Sequence, residues 1–183
     1  MSQRLKKYKA CTSKGYEAVI TTPVGRLGIA LVGERSIKID FLSKDCAIRH
    51  SENSLVNSVT GALRGYFANP QVKFEFPEVE GTPFQHKVWN ELKKIPAGKT
   101  ITYGELAKVL NTAPRAVGRA CRTNPCPIII PCHRVIAAGD RIGGYSGEVS
   151  SASAALTIKS WLLGYESVFL PTAADGYLYS SLI

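Results

Sequence analysis

Residues 124–134 of this 183-residue chain read Asn-Pro-Cys-Pro-Ile-Ile-Ile-Pro-Cys-His-Arg, which sets a thiol and an imidazole side by side behind a proline. A free thiol with a pKa of about 8.5 is only a few per cent ionised at neutral pH, and an imidazole or cationic neighbour raises the thiolate share. Cys132 and His133, at the end of the apolar run 128–130, are therefore candidates for a held nucleophile and its base. The same residues also fit a buried cysteine next to an exposed histidine, and residue types alone leave both readings open. Zinc finds little support. Cys121, Cys126 and Cys132 lie five and six residues apart, no Cys-x-x-Cys occurs, and the chain has only three His.

A charge pattern surrounds this pair. Between residues 107 and 139 stand Lys108, Arg115, Arg119, Arg122 and Arg134, with no acid among them. Solvated surfaces usually mix the signs, so this stretch is the candidate face for a polyanion. Over Pro114–Arg122 the three arginines fall at i, i+4 and i+7, on one side of a helix. A plain exposed face is the alternative reading of that stripe.

Local signals place these groups on definite elements. Residues 102–110 read as a short helix with Thr102 as N-cap and Glu105 completing a capping box. The connector 111–113 leads to Pro114, well suited to open the next helix. Two short helices with a tight joint form a helix-turn-helix signature. Upstream, 83–94 carries Phe84, Val88, Trp89 and Leu92 on one helical stripe, ended by Ile95-Pro96-Ala97-Gly98. Residues 128–130 read as a buried strand. In the first part, 16–22 and 27–32 read as strands around a turn at 22–25, followed by a strand over Ser36–Leu42 with Ile37, Ile39 and Phe41 alternating. A helix over 54–67 and a strand over 72–76 complete a small α+β unit that ends near Glu80.

Composition sets the outer bounds. Hydrophobic residues make up 45% and charged residues 20%, an ordinary globular balance, with a net charge of +9. No apolar run approaches the ~18 residues that a membrane span needs. The start, MSQRLKKYKACTSKGYEA, lacks the apolar stretch of a secretory signal. Five Cys, an odd number, point to thiols rather than a disulfide scaffold.

With these features in place, the sequence resembles a known family. Ile130-Pro131-Cys132-His133-Arg134-Val135, preceded by Asn124-Pro125, resembles the active-site signature of the O6-alkylguanine-DNA alkyltransferases. Gly81-Thr82-Pro83-Phe84-Gln85, Val88-Trp89, the stretch 95–100 and Thr102-Tyr103-Gly104-Glu105-Leu106-Ala107 look like the start of the same domain. Arg115-Ala116-Val117-Gly118 is similar to the family's recognition helix, and Gly144-Tyr145-Ser146-Gly147 to its substrate loop. The likeness runs in order over residues 81–166.

The resemblance implies an α+β fold with three parts. Residues 1–80 would be a ribonuclease-H-like N-terminal α/β domain, 81–168 a helical, winged-helix-like domain with the helix-turn-helix, and 169–183 a tail. It implies irreversible, single-turnover transfer of the alkyl group from O6-alkylguanine in duplex DNA to Cys132, with no cofactor and no metal. His133 would serve as base through a water, oriented by Glu166, and Tyr103 would protonate the leaving guanine. Asn124 would brace the joint between recognition helix and active site. Tyr145 would cover the flipped base and the Ser146 N–H would contact O6, while the carbonyls of Cys132 and Val135 read the exocyclic amine. Arg115 would fill the vacated stack, with Arg119, Arg122, Lys108 and Arg134 completing the DNA-binding set.

The implied partner is double-stranded DNA, entered from the minor groove by a monomer with no membrane attachment. The compartment would be the cytoplasm or nucleoid of a prokaryote, or the nucleus of a eukaryote. The 148–160 segment is longer than the family's usual spacing, so a longer loop or an added helical turn is expected there. Two other classes compete: a non-catalytic helix-turn-helix sensor or regulator, which would lack the acceptor Cys, and a cysteine hydrolase or acyltransferase. The latter would need an oxyanion hole and would turn over repeatedly.

Overall fold

The computed structural model describes residues 15–73, 75, 77–139, 142–144 and 154–168. Alternation of apolar residues builds the first unit. Strands β1 (Ala18–Thr22), β2 (Gly25–Val32) and β3 (Ser36–Leu42) form an antiparallel meander in that order, with Ile20 opposite Leu27 and Ile29 opposite Ile39. Side chains two apart share a face, and Leu27, Ile29, Ile37 and Ile39 are all buried. Helix α1 (Ser54–Ala68) covers that face with Val56, Val59, Leu63 and Tyr66. Its N-terminus is fixed by Asn53, whose side chain accepts from the Leu55 and Val56 amides.

The strand expected over 72–76 does not form at the described positions there, and Phe74 and Phe76 lie outside the described residues. The outer edge of β3 is already taken. The Ile37 amide donates to the Glu78 carbonyl (3.0 Å), the Ile39 amide to the Pro125 carbonyl (2.8 Å), and the Cys126 thiol to the Ile37 carbonyl (3.1 Å). A fourth strand has no free row of partners beside these.

The second unit is mainly helical. Helix α2 (Pro83–Lys94) starts with a capping box between Thr82 and Gln85 and buries Val88, Trp89 and Leu92. Two residues of β4 (Ile101–Thr102) pair in parallel with β5 (Val135–Ile136). Helix α3 (Tyr103–Val109) has the expected Thr102–Glu105 capping box. The joint to α4 (Pro114–Arg122) passes through Asn111 at φ 49°, a left-handed position that asparagine tolerates better than most residues. Helix α5 (Ala154–Val168) closes the described chain, so the later part of the 148–160 segment is helical.

The strand expected over 128–130 is also absent. Proline at 125, 127 and 131 removes backbone donors that a ladder would need. The chain instead turns tightly, with the Ile130 amide on the Cys126 carbonyl (2.8 Å) and Ile128 at φ 76°. That conformation costs a β-branched residue roughly 1–2 kcal/mol. Full burial of all three isoleucines offsets it.

One hydrophobic cluster includes Ile29 and Ile37 of the sheet, Leu63 of α1, Trp89 of α2, Ile129, and Leu162 of α5. The architecture is mixed α/β, with small sheets and packed helices. No helix of the described residues is long and apolar enough to cross a membrane.

Candidate active site and DNA-facing surface

The backbone at Cys132 follows from the prolines around it. Pro131 sits at φ −82°, ψ 61°, and the Cys132 amide reaches the Ile130 carbonyl at 2.8 Å. This is an inverse γ-turn centred on the proline. A single 3₁₀ turn over Cys132–Arg134 follows, with the Val135 amide on the Cys132 carbonyl. Cys132 is 4% exposed. Asn124 donates from Nδ2 to the Ile130 carbonyl (2.8 Å) and to Cys132 Sγ (3.1 Å). Its Oδ1 accepts the Cys126 amide (3.0 Å), which fixes the orientation of the side-chain amide. A donor aimed at sulfur favours the thiolate over the thiol. Asn124 thus touches the Cys132 sulfur as well as bracing the end of α4.

Around His133 the structure is an ion cluster centred on Glu166, and neither residue is exposed. Glu166 Oε1 lies 2.8 Å from His133 Nε2 and from Arg134 Nη2, and accepts from the Tyr66 hydroxyl at 2.8 Å. Oε2 takes Arg134 Nε and the Gly98 amide, both at 3.0 Å. Burial alone would raise the Glu166 pKa, but the His133 and Arg134 partners outweigh it and hold the carboxyl well below its usual range. Burial lowers the His133 pKa against the pull of Glu166, so the ring is neutral at neutral pH. A neutral ring facing a carboxylate through Nε2 carries its proton there, which leaves Nδ1 as a free base. Nδ1 is buried and has no hydrogen-bond partner among the described residues.

Arg134 departs from the sequence expectation. It is 7% exposed, spends Nε and Nη2 on Glu166, and donates from Nη1 to the Ile95 carbonyl at 2.5 Å. A guanidinium committed in this way is not available to a phosphate, so Arg134 leaves the DNA-binding set.

Tyr103 opens α3, and its hydroxyl donates to the Gly144 carbonyl at 3.2 Å. Burial, then the neighbouring Cys121 and Cys132, push its pKa well above the usual phenol range, so it stays a proton donor. The Val135 carbonyl accepts from Lys159 Nζ at 2.6 Å, which leaves one lone pair for another donor. Burial pushes the Cys121 thiol far up and the Cys126 thiol up to about 12, so neither competes as a thiolate. Tyr145 and Ser146 lie outside the described residues.

On α4 the buried side is Val117, Ala120 and Cys121, while Arg115, Arg119 and Arg122 are exposed, as is Lys108 on α3. None of the four forms an ion pair among the described residues. Helix α2 braces this helix from behind. Trp89 Nε1 donates to the Ala120 carbonyl (2.9 Å), and Gln85 donates to the Thr123 hydroxyl (2.7 Å). Asn124 thus ties the Cys132 thiol to the end of the helix that carries the cationic stripe.

Comparison with known proteins bears directly on this arrangement. Residues 83–168 match the family model of the 6-O-methylguanine DNA methyltransferase DNA-binding domain. A methylated-DNA–protein-cysteine methyltransferase of Methanosarcina acetivorans is 37% identical over 159 residues, covering 82% of this chain and 97% of that protein. The chain belongs to the 6-O-methylguanine DNA methyltransferase family. A Bacillus subtilis methyltransferase of the same kind, the constitutive one, is 34% identical over 84% of this chain and 96% of its own length. Among solved structures, Mycobacterium tuberculosis O6-methylguanine methyltransferase is 31% identical with a TM-score of 0.65, covering 86% of this chain and 94% of that one. Mycobacterium tuberculosis OGT in complex with DNA gives 0.67 at 31% identity, over 84% and 94%.

Within this methyltransferase family member, three site groups escaped the sequence reading. Tyr66 and the Gly98 amide reach Glu166 from distant segments, and nothing local announces them. Lys159 was legible in principle. It shares the buried stripe of α5 with Ala155, Leu162 and Glu166, spaced as one helical face, and a charge on an apolar stripe is a signal in itself.

The cluster makes a stability prediction. His133 and Glu166 both titrate below their ordinary values of 6.5 and 4.5, so each gives stability present above those values and lost as pH falls. The urea midpoint should decline below pH 6.5 and more steeply below 4.5. Glu166→Gln should cost about 3–5 kcal/mol at neutral pH, because Arg134 is left buried and uncompensated, and should lose the carboxylate part of the acid profile. An unchanged acid profile in the variant would contradict the assignment.

Proposed function

We propose that the protein repairs DNA by direct reversal, taking the alkyl group of O6-alkylguanine in duplex DNA onto Cys132, once per molecule. The observation that carries this reading is the buried thiol held by Asn124 beside the His133–Glu166 pair, directly behind an acid-free arginine helix. His133 Nδ1 takes the thiol proton, through one water. The new bond joins Cys132 Sγ to the alkyl carbon, and the carbon–O6 bond breaks. Its electron pair returns to the guanine, which Tyr103 protonates. A thioether is inert and nothing in the site restores the thiol, so the protein is consumed and needs no cofactor.

A sulfur this deeply placed cannot meet a base that is still stacked. The nucleotide turns out of the duplex at a cost of a few kcal/mol, least where the base is damaged or poorly paired. Arg115 occupies the gap it leaves. Arg119, Arg122 and Lys108 hold phosphates and give affinity that depends on salt rather than sequence. Entry by the minor groove, with its degenerate code, suits a protein that must act at any sequence, and a monomer suffices for it. Residues 81–168 form the reacting and DNA-binding, winged-helix-like unit in this reading, 1–80 a ribonuclease-H-like supporting unit, and 169–183 a tail. Tyr145 and Ser146 cover the flipped base and contact its O6, and the Cys132 and Val135 carbonyls receive its exocyclic amine.

An oligonucleotide duplex bearing O6-methylguanine with a radiolabelled methyl group tests the reading. Label should reach one methyl per protein, plateau, and map to Cys132, with none on Cys132→Ser. Tight binding without label would favour a sensor, and continued turnover a hydrolase or acyltransferase. For the helix, Arg115→Ala should slow reaction in the duplex by about tenfold or more, because base extrusion loses its support, while reaction with free O6-benzylguanine changes little. Equal losses on both substrates would remove the finger role.

A further inference from the structure

The proposed chemistry leaves one buried ammonium without a task. Lys159 has no solvent exposure, and its Nζ donates to the carbonyls of Val135 (2.6 Å), Ile142 (2.6 Å) and Gly144 (3.2 Å). Three carbonyls are all that the three protons of an ammonium can serve. The same nitrogen lies 5.7 Å from the centre of the Tyr103 ring, and the Tyr103 hydroxyl donates to the same Gly144 carbonyl. One cation therefore joins β5, the 142–144 segment and the opening residue of α3.

We propose that Lys159 is a positioning residue for the base pocket: it clips residues 142–144 to β5 and sets the Tyr103 ring and the Val135 carbonyl for the incoming guanine. The inference rests on the alkyltransferase reading, in which Tyr103 and Val135 meet the base. Loss of the ammonium would free the 142–144 carbonyls and let Tyr103 follow Gly144, while Cys132 would keep its own partner in Asn124. Displacement of about 1 Å in a reacting group is enough to cost a large factor in rate. The groups that face Lys159 are Tyr103 from α3, Cys121 from α4, and Cys132 and His133 from the 3₁₀ turn. Burial brings its pKa down to about 8, against the pull of Cys132 and Cys121.

Two reactions at Cys132 separate this role from a general one. Methyl transfer from an O6-methylguanine duplex needs the base pocket, whereas carbamidomethylation by iodoacetamide, mapped by peptide mass, needs only the thiolate. Lys159→Met should slow methyl transfer by about tenfold or more and carbamidomethylation of Cys132 by a clearly smaller factor, since the thiolate loses only the attraction of the nearby ammonium, with Lys159→Arg recovering part of the transfer rate. Unchanged transfer in Lys159→Met overturns the proposal, and so does an equal slowing of both reactions. Should Lys159→Met not fold, the unmutated protein gives the answer. Its methyl transfer should fall above about pH 8 while carbamidomethylation goes on rising, and parallel profiles overturn the proposal. No label on the unmutated protein refutes the alkyltransferase reading itself, whereas equal rates in the unmutated protein and Lys159→Met refute only the role of the lysine.

Discussion

A carboxylate that has lost all contact with solvent must find its partners within the protein, and Glu166 sets that requirement for this molecule. An isolated buried charge costs several kcal/mol even after relaxation. Glu166, on α5, meets the cost with an arginine, a histidine, a phenol and a backbone amide, drawn from α1, the turn after α2 and the 3₁₀ turn. Those segments are far apart in sequence, and each is fixed where the carboxylate needs it. Removing Arg134 or Glu166 leaves the other as a buried charge without its counterion, which makes the cluster a strong determinant of geometry whatever its net contribution to stability.

The Cys132–His133 turn inherits its order from this cluster. His133 is neutral because it is buried, and it is oriented because Glu166 occupies Nε2. Cys132 is the next residue along the chain, and its backbone is set by Pro131 and the amide of Asn124. Asn124 stands two residues past the C-terminal end of the arginine helix, so the cationic surface and the sulfur share one support. The unfavourable φ of Ile128 belongs to the same economy of form: only a tight turn brings Asn124 back to the sulfur, and the apolar burial of residues 128–130 holds that turn closed.

Much of this was legible in the sequence wherever the signal was local. The capping box at Thr102–Glu105, the proline at 114, the apolar stripe over 83–94 and the alternation over 36–42 placed helices and strands because each depends on neighbours close in sequence. The resemblance implied a base and a carboxylate for Cys132, and the structure brings His133 and Glu166 together at 2.8 Å. The failures have a common physical origin. Apolar alternation at 72–76 and the isoleucine run at 128–130 look like strands, but strand formation depends on a free edge and on backbone donors, which β3 and the prolines deny. Arg134 looks like part of a basic surface because sequence carries no record of burial. Lys159 was overlooked because a lone lysine on a helix is ordinarily solvated.

The central claim is that Glu166 holds His133 as a neutral ring protonated at Nε2, with Nδ1 available as the base. Nitrogen-15 NMR of the three histidine rings, with His133 assigned by His133→Gln, reads this directly at neutral pH. The account predicts one protonated nitrogen at Nε2 and one unprotonated nitrogen at Nδ1 in His133, and loss of that preference in Glu166→Gln. An imidazolium, or a ring protonated at Nδ1 instead, would contradict it.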